Sequence, residues 1–101
     1  MTELERDIEK KLRQRIEAMG GRCIKWVSPS SGGVPDRIVL LPGGRIYFVE
    51  TKRPKGGKLS ALQKKWHKWL TLLGFHCCTI WTFEELDSFI AEIQITKGGT
   101  P

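Results

Sequence analysis

Apolar residues recur at helical spacing in three stretches of the chain and form short runs or alternate with polar residues in four others. Leu4, Ile8, Leu12, Ile16 and Met19 mark one stripe of a helix over residues 2–19. Thr2 and Glu5 match a T-x-x-E capping box at its start, and Gly20 and Gly21 stop it. RCIKWV (22–27) reads as a short strand, and SPSSGG (28–33) as a flexible loop with no apolar anchor. Strands are expected over 36–41 and 45–52, joined by a PGG turn, with the basic loop RPKGGK (53–58) after them. A second helix over 60–73 turns Leu62, Trp66, Trp69, Leu70 and Leu73 inward, with Ser60 and Gln63 as its capping box and Gly74 as its stop. FHCCTIW (75–81) is a fourth strand, and a third helix opened by Thr82 and Glu85 runs to about Ile93. The order α-β-β-β-α-β-α predicts an α/β domain over residues 1–95, a mixed sheet with helices packed on it, and a disordered TKGGTP tail over 96–101.

Composition narrows the class. A chain of 101 residues supports one modest core and not two. No apolar run approaches the roughly 20 residues of a membrane span, so no membrane association is expected. The N-terminal MTELERDIEKK carries no apolar h-region, so no secretory signal is expected either. Three cysteines, Cys23, Cys77 and Cys78, are too few and too oddly spaced for a disulfide framework and read as reduced thiols of a cytoplasmic protein. A zinc set of Cys23, His76, Cys77 and Cys78 lacks the usual paired spacing, and adjacent strand residues point to opposite faces. The net charge of +6 favours a polyanionic partner, nucleic acid above all.

The chemistry lies in GVPDRIVLLPGGRIYFVETKRP, residues 33–54. With the PGG turn closing the hairpin, facing residue numbers sum to 85 or 86, which sets Asp36 opposite Glu50 within one residue. Glu50 and Lys52 share a face, and Asp36 joins them in this register. Ile38, Leu40, Ile46 and Phe48 continue that face as an apolar surface. Two carboxylates and an amine are costly to bury without a purpose, and a divalent cation resolves the conflict. The trio suits metal-assisted attack on a phosphodiester, with Lys52 orienting water or steadying charge on the phosphate. The bland alternative is a cross-strand cluster in which Lys52 neutralises the acids.

The pattern G-V-P-D, thirteen residues, then E-T-K resembles the PD-(D/E)XK nucleases and, more narrowly, the VRR-Nuc family of small nuclease domains. LSALQKKW and the later LGF extend the resemblance over nearly the whole chain. It implies a restriction-endonuclease-like αβββαβ core with an extra C-terminal helix, and an endonuclease dependent on Mg²⁺ or Mn²⁺. It also implies that Asp36, Glu50 and the backbone carbonyl of Thr51 bind metal, with an acidic residue from the first helix. Glu5 and Glu9 are the candidates. The capping box already accounts for Glu5, which favours Glu9. Gln63 resembles a glutamine that such nucleases place after the E-x-K strand, although its capping role explains it equally well. In stand-alone members the resemblance suggests a homodimer that cuts four-way DNA junctions.

Basic residues crowd the first helix (Lys10, Lys11, Arg13, Arg15), and Lys64, Lys65 and Lys68 stand on the second. Arg53, Lys55 and Lys58 follow the E-x-K strand at once, and with Lys64 they are the expected contacts to DNA phosphates. Arg37 neighbours Asp36 but points to the opposite face. The apolar excess of Trp66, Trp69 and Leu73, with Phe89 and Ile93, hints at self-association. Two rival readings share the fold: a non-catalytic DNA-binding module, and a nuclease acting on flaps or nicked duplex.

Overall fold

The computed structural model describes residues 4–97. Its elements are α1 (Glu5–Ala18), β1 (Arg22–Lys25), β2 (Arg37–Leu41), β3 (Arg45–Thr51), α2 (Ala61–Leu72), β4 (His76–Ile80) and α3 (Phe83–Lys97). The strands form one sheet in the order β1-β2-β3-β4. The first three are antiparallel, and β4 lies parallel to β3 after a crossover through α2. This is the expected mixed α/β architecture. The hairpin register is also as expected: Arg37 faces Val49 and Leu41 faces Arg45, so facing numbers sum to 86.

Period-two alternation divides the sheet. Cys23, Val39, Leu41, Val49 and Ile80 face one way and pack on Ile8, Leu12 and Ile16 of α1 and on Leu86, Phe89, Ile90 and Ile93 of α3. That is the core. The other face is covered less completely. Its centre is an aromatic chain in which Phe48 meets Trp26 and Phe75, Trp26 meets Trp66, and Trp66 meets Trp69. Of the five α2 residues expected inward, only Leu70 is buried and Trp66 half-buried. Leu62, Trp69 and Leu73 stay exposed, because the helix lies over one side of a four-stranded sheet with no further layer above it.

The start of α1, the end of α3 and the loop over 28–33 differ from the sequence reading. Leu4 is extended (φ −104°, ψ 149°) and occupies the N-cap position, so α1 begins at Glu5 and Glu5 is its first residue, not the third of a capping box. Thr2 lies outside the described residues. Helix α3 continues to Lys97, two residues into the expected tail, since no glycine or proline interrupts it before Gly98; residues 98–101 lie outside the described residues. The loop expected to lack an anchor is anchored. Gly33 (φ +84°) lies against α2 so closely that a Cβ would stand 2.8 Å from Leu62 Cγ and from its backbone carbon. Only glycine tolerates both the positive φ and the contact. The two local caps did form: Ser60 Oγ accepts from the Gln63 amide at 3.1 Å, and Thr82 Oγ1 accepts from the Glu85 amide at 3.0 Å. Among the described residues no helix is long and apolar enough to cross a membrane.

Gly33→Ala combines a left-handed backbone with a steric overlap. The expected cost is about 1–3 kcal/mol, a fall in Tm of at least about 4 °C in a domain of this size. Thermal unfolding by circular dichroism checks it, and an unchanged Tm would contradict the close approach of α2.

Candidate active site

The polar end of the hairpin forms where the β2–β3 ladder stops. Pro35 has no N–H with which to continue it. Asp36 is pinned from the β1 side, where its carbonyl accepts the Trp26 amide at 2.9 Å. Its side chain then turns toward β3, and Oδ2 accepts the Thr51 amide at 3.3 Å and the Thr51 hydroxyl at 3.4 Å. The carboxylate thus takes an amide that a backbone carbonyl would take in a longer ladder.

Glu50, on the neighbouring residue of β3, is 1% exposed. Its Oε2 accepts from Gln63 Nε2 at 3.2 Å and lies 3.7 Å from Lys52 Nζ. Its Oε1 is buried with no partner among the described residues. Burial and the neighbouring Asp36 carboxyl push the Glu50 pKa up to about 8, against the opposing pull of Lys52. The Asp36 charge therefore disfavours ionisation of Glu50.

Gln63 resolves an ambiguity of the sequence by doing both things. Its Oε1 accepts the Ser60 amide at 2.8 Å, completing the capping box, and its Nε2 donates to Glu50. A side-chain amide has an acceptor and a donor end, so capping and site contact do not compete.

Glu5 and Glu9 differ in their surroundings. Glu9 pairs with Arg37, Oε2 to Nε at 3.3 Å, and Arg37 also donates to the Cys23 carbonyl. Glu5 sits at the start of α1, where burial and the Asp36 charge raise its pKa while Lys52 lowers it. The capping argument that favoured Glu9 fails because the helix starts three residues after Thr2. Arg37, doubtful as a DNA contact, is engaged by Glu9.

The structure gathers Asp36, Glu50, Lys52, Thr51, Gln63 and Glu5 at one end of the sheet, beside the first turns of α1 and α2. Arg53 and Lys58 line an open cleft next to Lys52; Lys55 and Lys64 are exposed and do not line it. The Thr51 hydroxyl was not foreseen. Its signal was a β-branched hydroxyl residue between two charged ones on a strand about to end. Among the described residues no three His, Cys, Asp or Glu side chains are grouped closely enough to cage a metal by themselves. Two carboxylates with an unpartnered oxygen nevertheless suit a hard cation that keeps several waters.

No model of a protein family matches the chain. Over 90 residues it is 40% identical to "Putative nuclease p44" of Acyrthosiphon pisum secondary endosymbiont phage 1, a match covering 89% of this chain and 95% of that protein. Among solved structures it resembles one described as a "VRR_NUC domain", with a TM-score of 0.82 and 31% identity over 86% of this chain and 94% of the other.

The raised Glu50 pKa has a signed consequence for the metal-free protein. A carboxyl whose folded pKa exceeds its unfolded value contributes stability below about pH 4.5 that is lost as pH rises through about 8. In chelator, Glu50→Gln is expected to be more stable than the wild type at pH 8.5, by at least about 4 °C in Tm, with the gap closing toward pH 5. Thermal unfolding of both proteins across this range checks it, and a gap independent of pH would remove the buried carboxyl as its cause.

Proposed function

The chain belongs to the VRR-Nuc family of nuclease domains, and on that premise we propose that it is a DNA endonuclease dependent on Mg²⁺ or Mn²⁺. The observation that carries this reading is Glu50: a buried carboxyl with one oxygen unpartnered, facing Asp36 and within 3.7 Å of Lys52. Asp36, Glu50 and the Thr51 carbonyl would hold the cation, and Glu5 stands close enough to feel the same charges. All are hard oxygen donors, and water and phosphate oxygens would complete the set. Such a cation polarises phosphate and makes water more acidic.

The chain's own residues do the rest. Gln63 and the Thr51 hydroxyl hold the two carboxyl groups in place, so that little reorganisation is needed when substrate arrives. Lys52 orients the attacking water and offsets negative charge as it grows on the phosphate. Hydrolysis forms a bond from water oxygen to phosphorus and breaks a phosphorus–oxygen ester bond. The water gives up a proton, and the leaving alkoxide takes one. Arg53, Lys55, Lys58 and Lys64 contribute affinity for the DNA backbone without reading bases.

The preferred substrate in this reading is a four-way junction cut by a homodimer. Support comes from the half-covered side of the sheet, where Ile24, Leu40, Ile46 and Phe75 remain partly exposed and α2 adds Leu72 at 73% and Leu73 at 72% exposure. Surface of this kind suits a second copy, and two-fold symmetry would supply two sites for paired cuts.

A labelled junction and a linear duplex of the same sequence, each with Mg²⁺, Mn²⁺ or chelator, test the reading. Metal-dependent paired cuts in the junction are expected from the wild type. Glu50→Ala and Lys52→Ala should cleave at least about a hundredfold more slowly while keeping the wild-type circular dichroism spectrum. Equal cutting of both substrates would retain the nuclease and discard junction preference; binding without cutting in either metal would make the chain a binding module. Light scattering is expected to give twice the mass of one chain, and a monomer at high micromolar concentration would remove the dimer.

A further inference from the structure

Basic residues on α1 divide into two groups. Arg13 pairs with Glu17, Arg15 with Asp87, and Lys11 lies 5.0 Å over the Phe83 ring. Arg6 is different. It shares with Lys10, Arg53 and Lys58 the lack of a carboxylate partner among the described residues but, unlike Lys10, it lines a cleft. Arg6, Arg53 and Lys58, with Lys52, line one open cleft of about 690 Å³ between the first turn of α1 and the loop after β3. Among the described residues, Glu5 is its one acidic lining residue.

The loop is built for this placement. A Cβ on Gly57 would stand 2.4 Å from the Arg53 carbonyl oxygen and 3.2 Å from the Trp81 ring, and Gly56 has φ +81°. Two glycines let the chain fold back on Arg53, so that Arg53 and Lys58 border the same space. Cations gathered from separate elements that outnumber the acids beside them repel, and an anion in the cleft relieves that repulsion. The cleft opens beside Lys52, which places that anion next to the reacting phosphate.

We propose that this cleft is a second phosphate subsite, in which Arg6, Arg53 and Lys58 hold an internal phosphodiester of the bound strand adjacent to the one that is cut. Arg6 is thereby a substrate-binding residue. The charge and the open cleft suit a backbone passing through, and they do not read bases. The inference builds on the DNA-nuclease reading, but its first test does not require cleavage.

Binding of a linear duplex by the full chain is measured in chelator over a salt series. Arg6→Ala is expected to lower the slope of log K against log salt by about 1 and to weaken binding about equally for all sequences. Arg6→Lys should restore the slope, and Arg22→Gln, which removes an exposed charge remote from the cleft, should leave it unchanged. An unchanged slope for Arg6→Ala, an equal loss for Arg22→Gln, or no DNA binding by the wild type would overturn the subsite. The second test uses cleavage in Mg²⁺ or Mn²⁺ of substrates carrying one neutral methylphosphonate linkage at successive positions. The wild type should lose about tenfold in kcat/KM at one position flanking the cut, and Arg6→Ala should be insensitive there. Loss seen only when a terminal phosphate is removed would overturn the internal placement. A salt-slope effect of Arg6 in a wild type that binds but never cleaves would sink the nuclease and leave the subsite standing.

Discussion

The structure turns on a buried carboxyl. Glu50 sits in the sheet with almost no solvent contact, and an ionised group there is tolerable only with close compensation. The compensation is partial: one amide from Gln63, one ammonium from Lys52, and a second carboxyl from Asp36 that makes matters worse. The pair is left short of positive charge and one oxygen short of a partner. Burial and the Asp36 charge favour the protonated form of Glu50 over the ionised one.

Several features of the fold follow from keeping that carboxyl where it is. The ladder between β2 and β3 stops at the Arg37–Val49 pair, and beyond it the Thr51 amide donates to the Asp36 carboxylate. Helix α2 begins where its capping glutamine reaches β3, so helix initiation and site geometry share one side chain. Gly33 permits α2 to sit against the loop that delivers Asp36. Helix α1 starts on the same side, and its amino end favours negative charge nearby.

The two sides of the sheet serve different ends. The α1–α3 side holds the apolar core, and its interior is closed. The α2 side carries Glu50 and an aromatic chain, and much of its apolar surface stays open. Among the described residues a four-stranded sheet has one helix on that side, which cannot bury every apolar position facing it.

The hairpin register, the E-x-K face and the caps at Ser60 and Thr82 were legible in the sequence, because each depends on spacing over a few residues and on strand alternation. Their pattern also carried the resemblance to the family to which the chain belongs. The placement of Glu5 and Glu9 was not legible. It depends on Arg37 reaching from β2 to hold Glu9 and on Leu4 staying extended, both consequences of packing between elements distant in sequence. The same holds for the Thr51 hydroxyl on Asp36 and for Arg6 beside Arg53 and Lys58. Local sequence determined which groups were present and which way each strand or helix presented them. Only the tertiary structure decided which of them stand together, because burial, ion pairing and cleft formation are set by residues that meet through folding and not along the chain.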